Sequence, residues 1–77
     1  MQRPFNIPDG MTMKEGDNSP FVIVLQLKLQ ELGYYNAPLS GCYNAATKEA
    51  VKAFQKDNKL IDDGLCGIST MALLFPE

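Results

Sequence analysis

One eight-residue phrase occurs twice in this chain, and its repetition leaves few folds open. Ser40-Gly41-Cys42-Tyr43-Asn44-Ala45-Ala46-Thr47 is matched 23 positions later by Asp63-Gly64-Leu65-Cys66-Gly67-Ile68-Ser69-Thr70. Both copies run turn former, Gly, any residue, buried-type residue, Gly or Asn, two residues, Thr. An apolar segment follows each Thr: Ala50, Val51 and Phe54 after the first, Ala72, Leu73 and Leu74 after the second. The expectation is a tight glycine-bearing turn that launches a short helix, used twice. Its structural residues are then Ser40, Gly41, Asn44 and Thr47 in one copy and Asp63, Gly64, Gly67 and Thr70 in the other.

The remaining elements follow from local signals. Residues 1–18 hold Pro4, Pro8, Gly10 and Gly16 without a helical period and read as an irregular N-terminal arm, with residues 19–77 as the domain proper. Ser19 suits an N-cap and Pro20 the first helical position, where no N–H is needed. The stretch after them fits two templates. Leu25, Leu27 and Leu29 alternate as in a strand, while Val22, Leu25, Leu29 and Leu32 form a helical stripe. The flanks select the helix, because Gly33 can take the left-handed position after its end and Tyr34 can close the cap. A second helix is capped by Asn44, carries Thr47, Ala50, Val51 and Phe54 on its core side, and stops at Asn58. Gly67 opens a short third helix ended by Pro76. The predicted architecture is all-α: a small three-helix bundle over about 20–32, 45–57 and 68–75, with no strand.

Size and composition exclude several classes of function. A single small core in 77 residues supplies only about 3–5 kcal/mol, which leaves little for strained catalytic geometry. The net charge of −2 offers no basic stripe for phosphates, so nucleic acid is not an expected partner. The longest wholly apolar run, residues 21–25, is far below the ~20 residues of a spanning helix, so no membrane span and no secretory signal is visible. With no histidine and two cysteines the chain cannot assemble a structural zinc site alone, and the alternating ligands of a calcium loop are missing. Neither a metal nor any other cofactor is expected. Cys42 and Cys66 are open to a bridge or to two free thiols, although Cys66 fills the buried slot of its turn and reads as a core residue.

Taken in order, the motifs resemble a known family. Val22-x-x-Leu25-Gln26-x-x-Leu29, Gly33-Tyr34-Tyr35, the Gly41/Tyr43/Thr47 turn, Ala50-Val51-x-x-Phe54-Gln55, Leu60, and Asp63-Gly64-x-x-Gly67-x-x-Thr70 look like the peptidoglycan-binding domain 1 family. The resemblance covers about residues 16–75. It implies a three-helix, non-catalytic module of the kind attached to cell-wall amidases, cortex-lytic enzymes and phage endolysins, and so a place at the cell wall, outside the cell, or in a virion. Ser40 stands where the family usually has Asp, Asn44 where it usually has Gly, and Lys59 in place of the usual Gly before Leu60.

The partner implied is peptidoglycan, through its glycan or its stem peptide, held in a shallow groove near the glycine turns. Tyr35, Gln26, Gly41 and Asp63 are the candidate lining residues. Tyr35 is the tyrosine without an evident core duty, and an aromatic face with a polar tip suits a sugar ring. Gln26 and Gln55 each follow a core residue, where an amide can clamp a loop or meet a ligand. Thr47 and Thr70 have no histidine to activate them as nucleophiles, which argues against an enzyme. A second reading comes from α-helical geometry. Ile23 and Leu27, with Val24 beside them, lie away from the core stripe and form a candidate protein interface. Either the N-terminal arm, through Phe5, Ile7 and Met11, covers that face, or another protein does. The latter case would make the chain an assembly part of a phage tail, a contractile particle or a wall complex.

Overall fold

The computed structural model describes residues 12–75. Three helices follow in order: α1 (Pro20–Glu31), α2 (Ala45–Asp57) and α3 (Ile68–Leu74), and among the described residues there is no named strand. The Ser19 hydroxyl accepts the Phe21 N–H at 3.1 Å and Pro20 stands in the first turn of α1. Asn44 caps α2 through its side-chain oxygen, which accepts from the Thr47 N–H at 2.9 Å. Gly67 occupies the cap position of α3 with no side-chain bond.

The first two helices end in the same way. After α1, Tyr34 N–H donates to the Leu29 carbonyl at 2.8 Å and Gly33 N–H to that of Gln30 at 3.1 Å, with Gly33 at φ 90°. After α2, Leu60 N–H donates to Gln55 at 2.8 Å and Lys59 N–H to Lys56 at 3.1 Å. Both are Schellman closures, which need one left-handed residue. Asn58, the expected stop of α2, has φ −103°, and the left-handed residue is Lys59, at φ 61°. A lysine does there what a glycine does after α1.

The core gathers Val22, Val24, Leu25 and Leu29 of α1 with Tyr35, Tyr43, Val51, Phe54, Cys66, Met71 and Leu74. At about 100° per residue the buried positions of α1 sweep more than half of its circumference. Val24 therefore belongs to the core and not to an outer face, because neighbours pack on α1 from two sides. Ile23 and Leu27 do remain exposed, at 40% and 42%. Leu32, expected on the core stripe, lies just beyond the helix end and is exposed. The arm residues Phe5, Ile7 and Met11, expected as cover for that face, lie outside the described residues.

The last part of the expected arm is built into the body. Met13 is completely buried and exchanges two backbone hydrogen bonds with Cys66, at 3.0 and 2.8 Å. Farther along, Gly16 N–H donates to the Tyr43 carbonyl at 2.9 Å, and Tyr43 N–H to the Asp17 carbonyl at 2.8 Å. Tyr43 and Cys66 are equivalent positions of the repeat. The segment 13–18 is thus a strap whose backbone closes both turns, and the Lys48–Glu15 ion pair at 3.5 Å ties it to α2.

Candidate functional site

Each glycine turn is held by a glutamine from the preceding helix. Gly41 and Gly64 share one left-handed backbone state, with φ 78° and 79°, which side chains disfavour and glycine accepts. The Gln26 carbonyl oxygen accepts the N–H groups of Ser40 at 3.0 Å and Gly41 at 3.1 Å. Its amide nitrogen donates to the Cys42 carbonyl and the Thr47 hydroxyl, both at 2.9 Å. Gln55 repeats the arrangement: it accepts from Gly64 N–H at 3.0 Å and donates to the Leu65 carbonyl at 2.7 Å and the Thr70 hydroxyl at 3.0 Å. Both glutamines are buried. A fully bonded buried amide stabilises the fold, and an unbonded one would cost about 1–3 kcal/mol per lost partner.

The turns are also joined to each other. Tyr43 fills the buried slot of the first turn, and its hydroxyl donates to the Gly64 carbonyl of the second at 2.7 Å. Burial and nearby acidic groups push the Tyr43 phenol far above its ordinary pKa. Burial likewise pushes the Cys66 thiol up to about 12. Cys42 and Cys66 are unbridged, the first exposed and the second buried.

Against this geometry the expected ligand residues separate. Tyr35 is not an exposed aromatic: it is 1% accessible, and its hydroxyl donates to the Pro38 carbonyl at 2.8 Å. The loop that carries it folds back and drops the ring into the core. Every polar atom of the Gln26 amide is occupied by the first turn, and Gly41 is buried beneath Ile23. Of the four, only Asp63 stands on an open surface. Its Oδ1 accepts from Leu65 N–H at 2.9 Å and from the Gln55 amide at 3.1 Å. Tyr34 leans edge-on against Phe54, with ring centroids 5.7 Å apart, and donates to Asp57 at 2.7 Å. That bond holds its phenol above the ordinary value.

A groove of about 530 Å³ opens beside the second turn. Among the described residues, its apolar side is made by Leu60, Ile61, Leu65 and Ile68, its charged groups are Lys59 and Asp63, and its hydroxyls come from Thr12, Ser69 and Thr70. Ile61 is 82% exposed, Ile68 65% and Leu65 43%. Three large aliphatic side chains at one concave site, ringed by a few polar groups, have the composition of a binding surface. Sequence reasoning reached Asp63 and Gln55 but missed Ile61, Leu65, Ile68 and Lys59. The signal available was the mismatch between repeats, where Leu65 and Ile68 correspond to Cys42 and Ala45.

A duplicated, clamped turn on a three-helix frame with an open groove defines a small binding domain. Residues 18–74 match the model of the family described as "putative peptidoglycan binding domain", and the chain belongs to that family. It is 35% identical over 54 residues to the N-acetylmuramoyl-L-alanine amidase CwlM of Mycobacterium tuberculosis, a match that takes in 70% of this chain and 13% of that protein. Its fold superposes on the crystal structure of the SleB N-terminal domain with TM-score 0.83 and 29% identity, covering 88% of this chain and 93% of the other. A Burkholderia AP3 phage endolysin gives TM-score 0.79 and 34% identity over 83% of this chain and 24% of its own.

Proposed function

We propose that this chain is a non-catalytic module that binds peptidoglycan through the second-turn groove and holds a partner activity, such as an attached wall hydrolase, against the cell wall. Membership of the binding-domain family over residues 18–74 carries the reading. The side-chain inventory supports the absence of catalysis. There is no histidine, the Thr47 hydroxyl donates to Asn44 and accepts from Gln26, and the Thr70 hydroxyl accepts from Gln55. Neither is an activated nucleophile. Asp63 is the one expected ligand residue kept in the proposed site. A shallow site on so small a domain binds weakly alone and gains from being tethered, since linkage raises the effective concentration of its partner at the wall. Co-sedimentation of the purified chain with isolated sacculi tests the proposal. Retention well above that of an unrelated protein of similar charge, with no muropeptides released, is the expected result. No retention defeats the binding claim, and released muropeptides defeat the non-catalytic one.

A further inference from the structure

Peptidoglycan offers two different surfaces, a glycan of amphipathic sugar rings and a short peptide bearing methyl groups, carboxylates and a diamino-acid side chain. Sugar rings are ordinarily gripped by stacking on an aromatic face. Among the described residues, no aromatic side chain lines the groove. Tyr35 and Tyr43 are buried with their hydroxyls bonded, and Tyr34 packs on Phe54 away from the groove lining. The described residues instead set the aliphatic surface of Ile61, Leu65 and Ile68 beside a cation, Lys59, and an anion, Asp63.

We infer that the groove holds the peptide stem and not the glycan, an inference that rests on the wall-binding reading above. Alanine methyl groups of the stem pack on Ile61, Leu65 and Ile68. The ammonium of the diamino acid is placed near Asp63, and a stem carboxylate near Lys59. A cation and an anion beside one apolar surface match the mixed charge of such a peptide. Lys59 also explains itself in these terms. It occupies a left-handed position at φ 61° where glycine would be more comfortable, and so brings a cation to the groove at a conformational cost.

The test compares the chain on intact sacculi and on the same sacculi stripped of stem peptides by an amidase. Retention on the intact wall that is lost on the bare glycan is expected. Equal retention on both overturns the stem assignment while leaving wall binding intact, and retention on neither defeats wall binding itself. Titration of the labelled chain with synthetic L-Ala-γ-D-Glu-diamino acid-D-Ala tetrapeptides, one carrying lysine and one diaminopimelate, locates the site. Amide shifts at Ile61, Leu65, Ile68 and Ser69 with either peptide support it, and none with both overturns it. Two variants keep the fold and separate the contributions. Ile61→Asp, at a surface position, is expected to weaken tetrapeptide binding about tenfold by placing a charge on the apolar surface. Lys59→Gly relaxes the backbone and is expected to weaken it about threefold, as befits an exposed ion pair. Unchanged affinity in both variants overturns the assignment.

Discussion

The two turns of this domain share a backbone and a clamp but have opposite surfaces. Gly41 and Gly64 differ by one degree in φ, and Gln26 and Gln55 make matching bonds around them. The chain between helix end and turn is what differs. Five residues separate Tyr34 from Ser40, and only two separate Leu60 from Asp63. The longer loop has room to fold back, so Tyr35 enters the core and its hydroxyl meets Pro38. The shorter one does not, so Ile61 stays outside and the groove remains open. Small residues complete the first turn, with Cys42 and Ala45 where the second has Leu65 and Ile68. A duplicated turn can therefore keep one copy for structure and give the other to binding, because the clamp sets the backbone without fixing the outward side chains.

The strongest way to break this comparison is to remove the clamps. Gln26→Leu leaves the N–H groups of Ser40 and Gly41 and the Cys42 carbonyl without their partner, and is expected to cost about 3–4 kcal/mol. Gln55→Leu, which strands Gly64 N–H and the Leu65 carbonyl, should cost about 2–3 kcal/mol. Denaturant titration measures both. A loss in one variant and none in the other would show that the two turns are not held alike.

Next in size is the contrast between the thiols. A thiol-specific reagent near pH 8 is expected to modify Cys42 while the native fold shields Cys66, because one is exposed and the other is buried with its pKa at about 12. The sign follows from the same shift. The folded value lies above the thiol's ordinary value of about 9, so folding keeps a proton that the unfolded chain releases. Its contribution is complete below pH 9 and is lost as pH rises towards 12. Stability should fall over that window, and Cys66→Ala should flatten the fall. Equal labelling of both thiols in the native protein would contradict the burial.

The smallest effect sharpens the comparison at the helix ends. Lys59→Gly should stabilise the domain by up to about 1 kcal/mol, and Gly33→Ala at the equivalent position should destabilise it by about 1 kcal/mol. No atom lies within 4 Å of a Cβ added at Gly33, so that cost is conformational and not steric. Thermal unfolding of the two variants should shift in opposite directions.

Much of the frame was legible because its signals are local. Ser19-Pro20, Asn44 and Gly33 mark helix ends by bonds made within a few residues, and the observed helices begin and end within one residue of expectation. The clamping role of Gln26 and Gln55 was legible as one of two readings, since an amide beside a core residue must find partners. The site was less legible. Tyr35 and Ile61 each follow the residue that closes a helix, and no local pattern says that one ring goes in and one side chain stays out. Val24 failed for a related reason: a helical stripe assumes one covered face, whereas α1 is covered by neighbours on two sides. Met13 stood in a segment with no period at all, and its burial comes from backbone pairing with Cys66 across more than fifty residues.

By itself the sequence determined where the chain turns, where helices begin and end, and which family the ordered motifs belong to. Those features rest on backbone preferences and short-range caps that each residue carries with it. The tertiary structure alone decided that the strap from residue 13 closes both turns, that Tyr35 is core, and that the open groove lies at the second turn. Accessibility is a property of what packs across from a residue, and loop length and long-range pairing set that only after the helices have come together.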